Sequence, residues 1–388
     1  MSSQHFNNQP RKKKTRMNKD GILVKAHKYD LGAICPPNKF GGQLVKLKNE
    51  FVFAKYSLEV QEQRLLFNAM SHFDINPFLK NKDVQDELQG DASARWDFSK
   101  VTQSLTDSYY SFIEKRTIIL PVREILRTTG SRNYKALDKA IKSLQSRTMV
   151  VDEMTSKRIR VKKTINPIEV ASKVGKTDIL ITFTKEFMPY LLALSGYQAI
   201  NLNLIAGFSY KHSSRYYHWC LYALNMKENE SLVKFDVSID RIRERLEIGT
   251  KEHQRNFFSR VVKKSVDEIN EKTPIFIKVE KIIKKDNKGR NLRGNPVSRL
   301  TFNVYRDKAA ALDAAKHIVE TCASRYNSQI HDSNFDKFAC EDTTEELKKE
   351  RDTAEAELRR IELLIATQNE STMVGASALG DVPSESVL

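Results

Sequence analysis

The 388-residue sequence predicts an α+β chain in which one small helix-and-hairpin unit is used twice. Three observations carry that expectation. Residues 57–165 run through three helical patterns and then two alternating stretches, "TMVVDE" and "RIRVKKTI". Residues 232–305 repeat the scheme as "LVKFDVS", "SIDRIRERLEI", "EHQRNFFSRVVKKSVDEIN", "PIFIKVEKIIKK" and "VSRLTFNVY": a strand, two helices and a hairpin. Charge is uneven, because 65 Lys and Arg face 49 Asp and Glu overall while 10 of the bases and 17 of the acids fall after residue 305, leaving residues 1–305 at a net +23. Such a balance points to a polyanionic partner, nucleic acid or anionic membrane. Helices followed by a β-hairpin are the order of a winged helix, and two copies imply a tandem reader of DNA.

The elements follow in order. Residues 1–38 are polar, with eight Lys and Arg against two Asp in the first thirty, and read as a disordered basic arm. Residues 39–206 form the first winged helix. In it Ser57 can N-cap a helix through "SLEVQEQRLLFNAMSHF", whose Leu58, Leu65, Leu66, Ala69 and Met70 share one stripe, with Glu59 and Glu62 near its start. Residues 74–108 are polar and loop-like; "TIILPVREILRTTG" and "SRNYKALDKAIKSLQSR" are helical patterns broken at Gly130.

Residues 207–306 form the second winged helix, opening on "FSYKHSSRYYHWCLYAL". On a helix Arg215, His218, Tyr222 and Asn225 share a polar face, while Tyr217, Cys220, Leu221 and Leu224 share an apolar one that Tyr216 and Trp219 extend. The helix should be long, mostly buried, and should join the two lobes. The next helix is capped by Ser238 or Asp240. Residues 307–388 are an acidic tail of two helix-prone stretches ending in "NESTMVGASALGDVPSESVL", which reads as disordered.

Several chemistries lack their parts. A tyrosine nuclease of the rolling-circle type needs a His-x-His metal pair, and neither Tyr109-Tyr110 nor Tyr216-Tyr217 has one. "VGKT", Val174 to Thr177, has Val170 where a phosphate-binding loop needs glycine, and reads as a hairpin turn. Eight histidines and four cysteines (Cys35, Cys220, Cys322, Cys340) show no metal-binding spacing, so no metal or cofactor is expected, and His218 reads as a helix residue with a satisfied hydrogen bond. No apolar run approaches a membrane span and the first residues lack the apolar core of a signal peptide; the expected location is the cytoplasm, with reduced thiols.

What remains is a binding surface. In "EHQRNFFSRVVKKSVDEIN" Phe258, Val261, Val262, Ser265, Val266 and Ile269 should pack inward, leaving Arg255, Asn256, Ser259, Arg260, Lys263 and Lys264 for DNA. Arg pairs bidentately with guanine and Asn with adenine, so Arg260 and Asn256 one turn apart suit base edges. The turn "DNKGRNLRGNP" adds Arg290 and Arg293, and in the first unit Arg132, Lys135, Lys139 and Lys142 suit phosphates.

These residues resemble a known family. "LYALNM", "VSIDRIRERLEI", "FFSRVVKKSVDEINEKTPIFIKVEKIIKKDNKGR" and "LTFNV" resemble the second winged helix of theta-type plasmid replication initiator (Rep) proteins, the iteron-binding class related to the F-plasmid initiator. "NEFVFAKYSLEVQEQRLLF", "NYKALDKAIKSLQSRTMVV" and "DILITFTKEFMPYLLAL" resemble its first winged helix. The match spans residues 44–305, with "DEINEKTPI" its most specific piece. The resemblance implies that the second winged helix reads one half of a directly repeated iteron, while the first reads the other half or mediates dimerisation. It also implies a monomer active at a bacterial plasmid origin and a dimer that represses its own gene at an inverted-repeat operator. Ser259 stands where a relative has arginine, so the iteron sequence is not carried over. The expected function is a non-enzymatic initiator that opens AT-rich DNA and recruits the host initiator and replicative helicase; a repressor that only binds an operator would need the same helices.

Overall fold

The computed structural model describes residues 44–72, 116–129, 133–154, 160–175, 177–192, 197–250, 256–283, 297–332 and 341–377. The expected basic arm, the polar stretch before residue 109 and Gly130 lie outside them.

The chain enters through β1 (Leu44–Lys48), which pairs antiparallel with β7 (Tyr197–Asn201), and a short α1 (Asn49–Phe53). α2 (Val60–Ser71) buries Leu65, Leu66, Ala69 and Met70 as its periodicity requires. Its start differs from the expectation. Glu59, not Ser57, is the cap, because Glu59 and Glu62 close a reciprocal capping box, each side chain on the other's backbone amide.

"TIILPVREILRTTG" is not one helix. Thr117–Pro121 is a strand, β2, whose alternating burial seats Leu120 in the core, and α3 (Val122–Thr129) follows it. The β-branched run gains a ladder against β6 (Asp178–Phe183), which a helical period cannot anticipate. α4 (Tyr134–Leu144) is N-capped by the Asn133 side chain and buries Leu137, Ala140, Ile141 and Leu144.

The hairpin expected to be the first wing is a separate ribbon. Among the described residues β3 (Met149–Met154) and β4 (Arg160–Ile165) pair only with each other, apart from a bridge between Val150 and Lys55. The wing is instead β5 (Ile168–Val174) with β6, turning at Gly175, whose positive φ of 63° suits a residue without Cβ; this is the "VGKT" turn. The sheet order is β2-β6-β5. In the second unit β8 (Leu232–Ser238), β9 (Phe276–Ile283) and β10 (Val297–Tyr305) give β8-β10-β9. First strand, last strand, middle strand: the two sheets repeat one topology, which is the winged-helix sheet.

After α5 (Met188–Leu192), α6 (Leu202–Gly207) leads to α7 (Ser213–Asn225), the junction helix. Burial between the lobes is as expected, but its polar face is not solvated. Arg215 is 2% exposed and His218 fully buried. Arg215 donates to the Ala54 carbonyl at 2.5 Å and lies 3.8 Å over the Tyr56 ring, and Trp219 Nε1 donates to the Val52 carbonyl at 3.0 Å. His218 has no hydrogen-bond partner among the described residues; it meets Phe67 edge to face at 5.5 Å. Tyr216 stacks on Phe302 of β10 at 5.9 Å, so one helix belongs to both cores.

α8 (Ile239–Leu246) is capped by Ser238, which accepts from the Arg241 amide. α9 (Lys264–Lys272) is preceded by a π-helical turn, Phe258–Lys263. The extra residue per turn rotates the entry, so Phe257 is buried and Phe258 only half-buried, a correction to the inward set.

The acidic tail is more ordered and more attached than expected. α10 (Lys308–Asp332) and α11 (Glu341–Ser377) pack together, and the helix extends into the stretch read as disordered. Ile361, 2% exposed, joins Phe276, Tyr305, Ala311 and Ala315 in a second small core against the sheet end.

Candidate nucleic-acid interface

The candidate surface follows from how α9 and its π turn are held. Val261, Val262, Val266 and Ile269 anchor one face in the main core. The opposite face presents Asn256, Ser259, Arg260, Lys263 and Lys264, all exposed, as expected from the sequence. Ser259 Oγ donates to the Asn256 carbonyl at 3.1 Å, so its hydroxyl is turned back on the helix. Lys263 pairs with Asp267 at 2.7 Å, and Asp267 also takes Arg360 of α11 at 2.5 Å. Lys264 Nζ lies 5.7 Å from the Tyr210 ring centroid. Arg260 has no ion pair among the described residues. Arg255, Arg290 and Arg293 lie outside the described residues.

A buried carboxylate fixes the orientation of this helix. Glu268, 3% exposed, accepts from the Ser209 amide at 2.6 Å, the Tyr210 amide at 3.0 Å, Ser213 Oγ at 2.6 Å and Lys272 Nζ at 2.8 Å. Burial pushes its carboxyl up, but the Lys272 and Ser213 donors and the two amides outweigh burial and hold it below the ordinary carboxylate value. The recognition helix is thereby tied to the segment entering α7.

The first unit uses the same device from the other side. Glu62, 1% exposed on α2, takes the Arg147 guanidinium at 2.8 Å and Ser143 Oγ at 2.5 Å, which clamps α4. That leaves Lys135, Lys139 and Lys142 exposed on one stripe of α4, where the sequence put them. Arg132 lies outside the described residues. The cations of β4, Arg160, Lys162 and Lys163, are also exposed; the alternation of "RIRVKK" signals a strand that exposes cations but does not distinguish a separate ribbon from a wing.

Across the lobes, Gln63 donates to the Leu58 and Lys211 carbonyls at 2.8 and 2.7 Å and accepts from Ser214 Oγ, and Arg64 donates to the Phe208 carbonyl at 2.9 Å. The tyrosine pair of α7 is buried: Tyr216 is 0% and Tyr217 4% exposed, and burial, with the neighbouring Cys220, pushes both phenols far above their ordinary value. Among the described residues no His, Cys, Asp and Glu group could hold a metal ion, and no helix is long and apolar enough to cross a membrane.

Comparison with known proteins decides what this duplicated unit is. Residues 91–221 match the family model described as Initiator Replication protein, WH1, and residues 238–304 match Initiator Rep protein, WH2; together they take in about half of the chain. The chain belongs to the plasmid Rep initiator family. It is also similar to a curated Replication initiation protein of Escherichia coli, 22% identical over 268 residues, which are 69% of this chain and 71% of that protein. Membership of the Rep family makes the two units DNA-binding winged helices and the chain a replication initiator. The boundary of the WH1 match falls within α7, in keeping with a helix shared by both cores.

Proposed function

We propose that this Rep initiator binds directly repeated iterons at its plasmid origin, opens adjacent AT-rich DNA and brings in the host initiator and replicative helicase without cutting DNA itself. The observation that supports it most is the row Asn256, Arg260, Lys263 and Lys264, exposed on a helix whose other face is locked into the core and whose far end is held by Glu268. A rigid helix with Arg and Asn one turn apart can read base edges, while lysines neutralise phosphates. Lys135, Lys139 and Lys142 support a matching, phosphate-directed role for the first unit. The burial of Tyr216 and Tyr217 argues against a tyrosine nucleophile.

A repressing dimer is the second part of the proposal. Ile119 on edge strand β2, 59% exposed, and Val170 and Val174 on edge strand β5, 37% and 41% exposed, support the first unit as the self-association surface. Domain limits of 39–206 and 207–306 with a tail from 307 fit the two sheets, and a cytoplasmic, plasmid-associated location fits the function.

The test is a titration of the cognate iteron and of random duplex. Arg260→Ala should cost about 1 to 3 kcal/mol on the iteron and little on random DNA, whereas Lys264→Ala should weaken both alike. Equal losses for Arg260→Ala on both duplexes would reduce it to a phosphate contact and remove the base-reading claim.

A further inference from the structure

A second cationic surface lies where the two units meet, away from the recognition row. β4 of the first unit leans on α8 of the second: Lys162 Nζ is 3.5 Å from Glu244, and the Tyr56 amide donates to the Arg245 carbonyl at 3.2 Å. Lys55, beside Tyr56, is bonded through its backbone to Val150 of β3 at 2.7 and 2.9 Å, so ribbon and α8 are held by one short segment. Arg160, Lys162 and Lys163 are exposed on the ribbon, and Arg241 is exposed on α8. Arg245 is half-buried, its guanidinium 4.7 Å from the Phe53 centroid and 5.6 Å from that of Trp219.

Four cations, Arg160, Lys162, Arg241 and Arg245, outnumber the three acids Asp152, Asp240 and Glu244 there. Burial and then the charges of Arg241 and Arg215 lower Arg245 to about 10, against the opposing pull of Asp152 and Glu244. The Arg241 charge thus disfavours a charged Arg245, and an anion arriving beside the two offsets that repulsion. The Lys162–Glu244 pair is on the rim, both side chains more than half exposed, and contributes little to stability.

The helix that carries half of the seam also touches the start of the recognition row. Arg243 of α8 donates to the Gly249 carbonyl at 2.6 Å and lies 4.4 Å over the ring of Phe257, the residue that begins the recognition segment.

We propose that this interdomain seam, Arg160 and Lys162 on one face of β4 with Arg241 and Arg245 on α8, is a phosphodiester-backbone site for the stretch of duplex lying between the segments read by the two units. It rests on the reading of the chain as a binder of duplex DNA. Its role is register: base contacts on each side would be set in phase by a backbone contact carrying no sequence information.

The experiment compares the full chain with the triple variant Arg160→Ala/Lys162→Ala/Arg241→Ala on the plasmid's own origin repeats and on random duplex, by fluorescence anisotropy across a salt series. Each lost phosphate contact should make the slope of log affinity against log salt shallower by about 0.9, so the triple variant should lose roughly 2 to 3 from it on both duplexes. Each single variant should lose about 0.9, which keeps the test valid if the triple variant melts early. Ethylation interference with the unaltered chain should mark phosphates between the two read segments. An unchanged slope, a loss confined to the cognate repeats, or no interference there overturns the seam; so does a variant altered only in binding to another protein. If the unaltered chain binds cognate repeats through Arg260 while the seam variants match it, the seam alone falls. If the unaltered chain binds no duplex, the functional reading falls with it.

Discussion

Replacing Glu268 by Gln changes one atom and one charge at the point where the recognition helix is fastened. In the native chain Oε1 accepts from the Ser209 amide at 2.6 Å and Lys272 at 2.8 Å, while Oε2 accepts from the Tyr210 amide at 3.0 Å and Ser213 Oγ at 2.6 Å. A glutamine oxygen can keep one pair, but its amide nitrogen then faces the donor of the other. Ser213 can turn and accept; the Tyr210 amide cannot, and a buried unpaired donor costs about 1 to 3 kcal/mol. The remaining bonds also lose their charge assistance, which brings the expected loss to about 2 to 4 kcal/mol at neutral pH.

The pH dependence supplies the sharper check. The folded carboxyl titrates below its ordinary value, so its contribution is complete above the unfolded value of 4.5 and is lost as pH falls through the lower folded one. Denaturant unfolding of both proteins should give a gap that is constant from neutral pH down to about 5 and narrows below that. The variant should also bind iteron DNA more weakly, because the Tyr210 amide no longer holds the helix end and the bonds that remain have lost their charge. A gap below about 0.5 kcal/mol, or one that does not narrow in acid, would refute the fastening role.

Two further outcomes follow from α7. Tyr217→Phe should leave stability and origin-dependent replication nearly intact, whereas Tyr217→Ala should cost about 3 to 5 kcal/mol because the ring is buried against Phe208 at 5.7 Å; damage from Phe equal to that from Ala, with a covalent DNA adduct, would identify a nucleophile instead. His218 is driven to about 3 by burial and the Arg215 charge, so the unfolded chain takes up the proton first and stability falls as pH drops below 6.5. That slope, about 1.2 kcal/mol between pH 6 and 5, should vanish in His218→Phe if the fold survives, and its persistence would place the titration elsewhere.

Much of the candidate interface, in the sense of which side chains are exposed, was legible because exposure on a helix depends on one-dimensional signals. Val261, Val262, Val266 and Ile269 recur at helical spacing, and the cations between them must then face outward. Lys135, Lys139 and Lys142 followed from the same reasoning, as did Gly175 as a turn and Ser238 as a cap. Phe257 was missed because a π turn adds a residue that a 3.6 period does not contain.

The sequence by itself determined the duplicated order of elements, the inward stripes of the helices and the basic face they leave exposed, since periodicity and charge act between near neighbours. Only tertiary structure decided the rest. Thr117–Pro121 became a strand because β6, far along the chain, completes its backbone hydrogen bonds, and β5 rather than β3 took the wing because β6 lay beside it. Arg215 could be buried because the Ala54 carbonyl and the Tyr56 ring receive it, although its spacing marked a polar face. Ile361 drew the acidic tail onto Phe276 and Tyr305 for the same reason: burial of a residue is settled by the surface that meets it, and that surface comes from elsewhere in the chain.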